Sequence, residues 1–307
     1  MILMHAPSSR RTFLKKTVAA AILGGGIPMA SVAVEAFKRA GTARLSLSLA
    51  AYSFRDSFTG KAAKKISLFD FVDYCAEQGC QGAELTSYYF PTPLTTEFLI
   101  KLKRHAFLRG IEISGSAVGN DFALEHGEKR DRQVKLVKDW VDYAAILGAP
   151  HIRVFAGPKP KTLELAQAKK LCIEGLEECS EYAGTKGIFL GLENHHGIVT
   201  EADDLLEIVR SVKSPWLGIN LDTGNFQTDD PYGDLVKCAP YAVNVQLKAE
   251  VQARGKKKEE ADVPRLIRIL RDANYQGYVA LEYEAAEDAW TGVPTWLKKM
   301  KQAMASA

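Results

Sequence analysis

The chain reads as a single (β/α)8 barrel on three observations. Eight short apolar runs, near 45–50, 81–85, 111–116, 151–156, 188–193, 217–222, 243–248 and 278–283, start roughly 25–40 residues apart. The segments between them carry apolar residues at helical spacing. No G-x-G-x-x-G follows the first run and no linker interrupts the alternation, which argues against a doubly wound dinucleotide fold. A length of 307 residues suits one large domain, and contents of 47% hydrophobic and 25% charged residues are ordinary for a globular chain.

Taken in order, the first element is a leader. Ser9 to Lys15 read S-R-R-T-F-L-K and precede an Ala/Gly-rich apolar run from Thr17 to Val34, a pattern similar to a twin-arginine export signal. Gly24-Gly25-Gly26 and Pro28 make that run a poor permanent membrane span. Small residues offer cleavage after Ala33 or Ala36, so residues 1–36 are expected to be the signal and 37–307 the barrel, exported to the periplasm. Arg10, Arg11, Lys15 and Lys16 against Glu35 account for the whole formal charge of +3. The body is therefore close to neutral, which disfavours nucleic acid as a partner. Cys75, Cys80, Cys172, Cys179 and Cys238 sit among apolar neighbours with no C-x-x-C spacing and read as buried free thiols.

The barrel units follow. Leu68-Phe69-Phe71-Val72-Cys75-Ala76 is the first amphipathic helix, and Val134 to Leu147 and Leu266 to Leu270 repeat the pattern. Gly79, Gly110, Gly148, Gly187 and Gly277 fall where helices end and strands begin. In the fourth strand, period-two alternation turns His151, Arg153 and Phe155 inward and Ile152 and Val154 toward the helices. The last four strands share a further feature, since each ends at an oxygen-bearing side chain. Glu193 closes L-G-L-E-N, Asp222 closes G-I-N-L-D, Gln246 closes V-N-V-Q and Glu282 closes V-A-L-E. Four such tips in succession suggest one metal ion at the mouth of a parallel barrel. Polar residues aimed inward need partners, and a metal and a polyhydroxylated substrate would supply them.

With its motifs L-E-N-H, L-D-T-G-N, V-Q-L-K and L-E-Y-E, the chain resembles the xylose isomerase-like barrel superfamily, the sugar phosphate isomerase/epimerase group, over roughly residues 44–300. A-Y-S-F at Tyr52 to Phe54, G-A-E-L at Glu84 and I-R-V-F at Arg153 add weaker agreement. The resemblance implies one divalent metal held by two glutamates, an aspartate and a histidine, which maps Glu193, Asp222 and Glu282 directly. Gln246 stands where histidine is common and Asn225 stands where epimerases often place another. An all-oxygen set favours Mn²⁺, then Mg²⁺, with Co²⁺ and Zn²⁺ left open. With six histidines in all, the chain departs from the related endonucleases that bind several zinc ions.

The implied chemistry is proton removal next to a carbonyl of an unphosphorylated sugar or keto-sugar, through an enediolate, giving isomerisation or epimerisation. Elimination from a 3-keto-glycoside by a lyase on the same site is the alternative, and a non-catalytic sugar-binding barrel is the third reading. Glu193 and Glu282 are the expected acid–base pair. Lys248 either neutralises the enediolate or protonates a leaving group, or else pairs structurally with Glu250 or Glu284. His195 and His196 are candidate acid–base groups or substrate donors. Arg153 is expected to anchor a substrate oxygen rather than serve only as an ion-pair partner. Asn225 is a substrate contact, and Glu84 either touches substrate or supports residues that do. Tyr52, Phe54 and Trp290 form a sugar-facing wall or join the core. The charged run Arg254 to Glu260 is a loop on the active face. A small carbohydrate is the expected partner, and homo-oligomerisation stays open.

Overall fold

The computed structural model describes residues 34–306, so the expected leader lies outside them except for residues 34–36. Eight parallel strands close a ring: β1 (Arg44–Ala50), β2 (Gly82–Thr86), β3 (Glu112–Ala117), β4 (His151–Val154), β5 (Phe189–Glu193), β6 (Leu217–Asp222), β7 (Ala242–Leu247) and β8 (Gln276–Leu281). β8 pairs with both β7 and β1, which completes the closure. The expected (β/α)8 barrel is the fold.

One helix follows each strand on the outside: α1 (Leu68–Glu77), α2 (Thr96–Leu108), α3 (Glu128–Leu147), α4 (Leu165–Thr185), α5 (Ala202–Ser211), α6 (Pro231–Cys238), α7 (Val263–Asp272) and α8 (Ala289–Ala305). Local chemistry sets their starts. Ser67 accepts from the Asp70 amide and Asp70 caps back, a reciprocal capping box. Asp230 and Asp262 cap α6 and α7, each with a proline in the first turn where no amide partner is needed. Gly148 ends α3 at φ 84°, a backbone angle that a Cβ would strain.

The outward faces of the strands form the core between sheet and helices. Ile152, Val154, Leu190, Leu192, Leu217, Ile219, Val245 and Leu247 are all fully buried there, each worth about 1.5–3 kcal/mol of burial. All five cysteines are buried and unpaired, as their apolar settings predict. No described helix is long and apolar enough to cross a membrane.

The inward faces are polar. Register shifts interrupt the β2–β3 ladder between Ala83 and Glu84 and the β6–β7 ladder between Ile219 and Asn220. In each case the extra residue lies in the partner strand, Ser114 in β3 and Val243 in β7, and it bends that strand locally. After β7 the chain forms a two-stranded hairpin, Glu250–Val251 against Glu259–Glu260, with the charged run at its tip.

Candidate active site at the barrel mouth

Deep in the barrel, four side chains from three strands make a closed ring of hydrogen bonds. Asn244 donates to Glu84 Oε2 at 2.6 Å and to Asn220 Oδ1 at 2.8 Å. Asn220 donates to Gln246 Oε1 at 2.6 Å, and Gln246 returns to Glu84 Oε1 at 2.6 Å. Glu84 is the acceptor that orients the ring, because an ionised carboxylate can only accept and so turns both amide NH₂ groups toward itself. Burial, then the nearby Glu282 charge, pushes Glu84 up to about 7 against these hydrogen bonds. His151 lies beside the ring, its Nε2 4.0 Å from Glu84 Oε2, and burial lowers it to about 4. Its ring fits only because Gly115 has no side chain; a Cβ there would lie 2.1 Å from His151 Cε1.

Above the ring, at the C-terminal ends of the strands, three carboxylates converge on charged partners. Asp222 is fully buried at the end of β6, and Glu193 and Glu282 are nearly so. Lys248 Nζ lies 2.6 Å from Glu282 Oε2 and 3.3 Å from Asp222 Oδ2, and it also contacts Glu284. Burial alone would lower the Lys248 pKa, but Asp222, Glu282 and Glu284 hold it well above the usual value, so it stays an ammonium. Arg153 Nε sits 2.8 Å from Glu193 Oε2, while its Nη1 donates to the Val118 carbonyl at 2.6 Å. That Nε–H makes no directed hydrogen bond, so the contact with Glu193 is charge pairing. Asn225 donates to Glu193 Oε1 at 2.9 Å. Burial pushes Glu193 well above the carboxylate range against the pull of Arg153, and pushes Asp222 to about 7 against that of Lys248. Asn194 locks the β6 end by accepting from the Asp222 amide and donating to its carbonyl, both at 2.8 Å.

The rim adds aromatic and imidazole groups. His195 is partly buried against Phe155, ring centroids 4.4 Å apart, and His196 packs on its other side at 4.2 Å. Burial, then His196, Arg153 and Lys248, lowers His195 to about 4, so it is neutral at pH 7. Tyr52 is half-buried near Glu284 and Glu282. Tyr88, beside Arg153, and Tyr89, whose buried hydroxyl has no partner, complete the rim. Neither tyrosine stands out in the sequence; the signal is their place directly after the β2 tip, where barrel loops carry function.

The structure revises the expectation for Arg153 and decides between the alternatives for Phe54 and Glu84. Arg153 turns to Glu193 and Val118 instead of to open space, because a buried guanidinium takes the nearest carboxylate. Phe54 is 1% exposed under Trp290 and joins a cluster with Phe71 and Tyr74, so it serves the core. Glu84 has both oxygens occupied within the ring and supports Gln246 rather than meeting substrate.

For a divalent ion, the donor set divides. Glu193, Asp222 and Glu282 supply hard oxygens at the same end of the barrel, and Asp222 Oδ2 is fully buried without a hydrogen bond despite the ammonium 3.3 Å away. Three carboxylates gathered out of water require a cation, so their chemistry fits one. Gln246 instead turns its oxygen to Asn220 and presents NH₂ to Glu282 at 3.4 Å. Among the described residues no three His, Cys, Asp or Glu side chains are already drawn around one point as ligands; the carboxylates close on Lys248 and Arg153.

Comparison with known proteins agrees with this architecture. The family model described as "Xylose isomerase-like TIM barrel" matches residues 72–300. A Homo sapiens protein named "Putative hydroxypyruvate isomerase" is 25% identical over 248 residues, spanning 72% of this chain and 86% of its own. The structure of 3-keto-D-glucoside 4-epimerase from E. coli superposes with a TM-score of 0.64 at 17% identity, covering 83% of this chain and all of that one. An IolI protein with a binding zinc atom gives a TM-score of 0.67 at 16% identity over 84% of this chain and 96% of that one.

Proposed function

The chain belongs to the xylose isomerase-like TIM barrel family, and from that premise we propose that its barrel mouth isomerises or epimerises an unphosphorylated sugar or keto-sugar by removing a proton next to a carbonyl. One observation carries the reading: three buried carboxylates at strand ends, Asp222 and Glu282 on the Lys248 ammonium and Glu193 on the Arg153 guanidinium. Glu193 and Glu282 belong to β5 and the end of β8, which are not neighbours in the ring. They can therefore flank a substrate from two sides, one removing the proton and the other returning it. Burial raises Glu193 well above the usual carboxylate range, which favours its taking up a proton.

Glu193, Asp222 and Glu282 would hold a divalent ion, Mn²⁺ first, with Gln246 joining if its amide turns over. Such an ion polarises a substrate carbonyl and stabilises an enediolate. Asn225 and Arg153 hold Glu193 in place. The half-buried Tyr52 and the imidazoles of His195 and His196 offer hydroxyl contacts at the rim.

Elimination from a 3-keto-glycoside is a second reading, favoured by a cleft of about 550 Å³ beyond Glu284 that is lined by Arg55, Lys61, Glu287 and Trp290. It has room for a departing group. Incubation with hydroxypyruvate, free ketohexoses and 3-keto-glucosides, with Mn²⁺, separates the readings by product mass. Isomerisation gives a mass-neutral product, elimination gives a cleaved or dehydrated one, and turnover of none of them would return the site to the sugar-binding reading.

Export is proposed with the same function, since unphosphorylated sugars are found outside the cytoplasm. Arg10→Lys with Arg11→Lys should leave precursor in the cytoplasm; normal periplasmic levels would refute the signal. Of the two cleavage points, the one after Ala33 spares Val34, which is buried and donates to the Val212 carbonyl at 3.2 Å.

A further inference from the structure

We propose that Lys248 is a tethered competitor of the metal: a divalent ion takes Asp222 and Glu282 only by displacing the Lys248 ammonium onto Glu284, so this one side chain sets the affinity of the centre. The inference rests on the metal-binding reading above and goes beyond it. An ion such as Mn²⁺ takes the lone pairs of its carboxylate ligands at about 2.0–2.3 Å. Lys248 Nζ already occupies Glu282 Oε2 at 2.6 Å and lies 3.3 Å from Asp222 Oδ2. Two cations cannot share those oxygens, because their mutual repulsion in a buried site is barely screened.

The ammonium fits the site only partly. Asp222 Oδ2 is fully buried and receives no directed hydrogen bond from it, which leaves that oxygen for a better cation. The path of displacement is also built in. The Lys248 amide donates to Thr223 Oγ1 at 2.9 Å, and a Cβ on Gly224 would come within 2.7 Å of Lys248 Cβ and Cγ. These contacts fix the base of the side chain and leave its end to swing. On the solvent side Glu284, whose side chain is 35% exposed, already contacts Nζ and would hold it after the move. Beside it lies a small cleft of about 90 Å³ lined by Gly224, Asn225, Gln252 and Glu284, into which Lys248 itself opens. A displaced ammonium would there face whatever the cleft binds.

The test measures Mn²⁺ affinity of the full chain after stripping with EDTA, by titration calorimetry, alongside melting with and without Mn²⁺. Lys248→Met keeps the stem and removes the competing charge. It should bind Mn²⁺ roughly tenfold to hundredfold tighter than wild type, the size expected for loss of one charge-assisted competitor. It should melt lower than wild type in EDTA and gain more from Mn²⁺. Glu284→Gln withdraws the acceptor for the displaced ammonium and should weaken Mn²⁺ binding, which decides the matter if Lys248→Met fails to fold. Equal affinities in wild type and Lys248→Met, or unchanged or tighter binding in Glu284→Gln, would overturn the inference while leaving the metal reading intact. Failure of both wild type and Lys248→Met to bind Mn²⁺ would overturn the metal reading and this inference together.

Discussion

The inner ring and the mouth of this barrel use similar residues to opposite ends. In the ring of Glu84, Asn244, Asn220 and Gln246, every short contact has a donor and an acceptor, and one carboxylate takes two NH₂ groups. At the mouth, Glu193, Asp222 and Glu282 face a lysine and an arginine whose hydrogen bonds do not satisfy them all, and Asp222 Oδ2 is left without one. A satisfied network is rigid and specifies a single arrangement, whereas charges held close and incompletely bonded can exchange protons and cations. The comparison assigns support to the ring and chemistry to the mouth.

The largest expected break falls at the mouth. Glu193→Gln keeps the shape but removes the proton-carrying group, and kcat/KM should fall about 10²–10⁴-fold, with stability near that of wild type by urea unfolding. Loss of folding with little loss of activity per folded molecule would reverse the two roles. The ring should give the opposite result. Glu84→Ala leaves two buried NH₂ groups without their acceptor and should cost about 2–5 kcal/mol of stability, read as a shift of the urea midpoint. An unfolding midpoint within error of wild type would show that the ring does not hold the barrel. A smaller effect is expected where the regions meet the rim. Asn225→Ala removes the 2.9 Å hydrogen bond to Glu193 and should lower kcat/KM about three- to tenfold, since the side chain is half-exposed and water can replace it.

The regions also differ in how much of them could be read from the sequence. The strands were legible because a buried parallel strand is a short apolar run, and β6 is found at 217–222 as expected. The last strand runs Gln276–Leu281 rather than over 278–283, which leaves Glu282 just past the ladder with its amide on the Leu247 carbonyl. The mouth carboxylates were legible as strand tips. The ring was not, because the orientation of the Gln246 amide depends on Glu84, 162 residues away in the chain. Gln246 read alone looks like a ligand oxygen; with Glu84 beside it, it shows NH₂. The pairing of Lys248 with Glu284 was among the alternatives, but its seat between Asp222 and Glu282 depends on the closure of β7 onto both β6 and β8. Arg153 was read correctly as inward-facing, yet its choice of Glu193 over substrate follows from how deeply both are buried.

The measurement that bears most directly on the division of roles is incorporation of solvent deuterium at the carbon next to the carbonyl of a turned-over substrate. It would be followed by NMR in wild type, Glu84→Gln, Glu193→Gln and Glu282→Gln, all loaded with Mn²⁺. The account predicts exchange in wild type, exchange within about tenfold of that rate in the folded Glu84→Gln protein, and a fall of about 10²-fold or more in both mouth variants. Exchange at the wild-type rate in Glu193→Gln and Glu282→Gln, or its loss in Glu84→Gln alone, would contradict it.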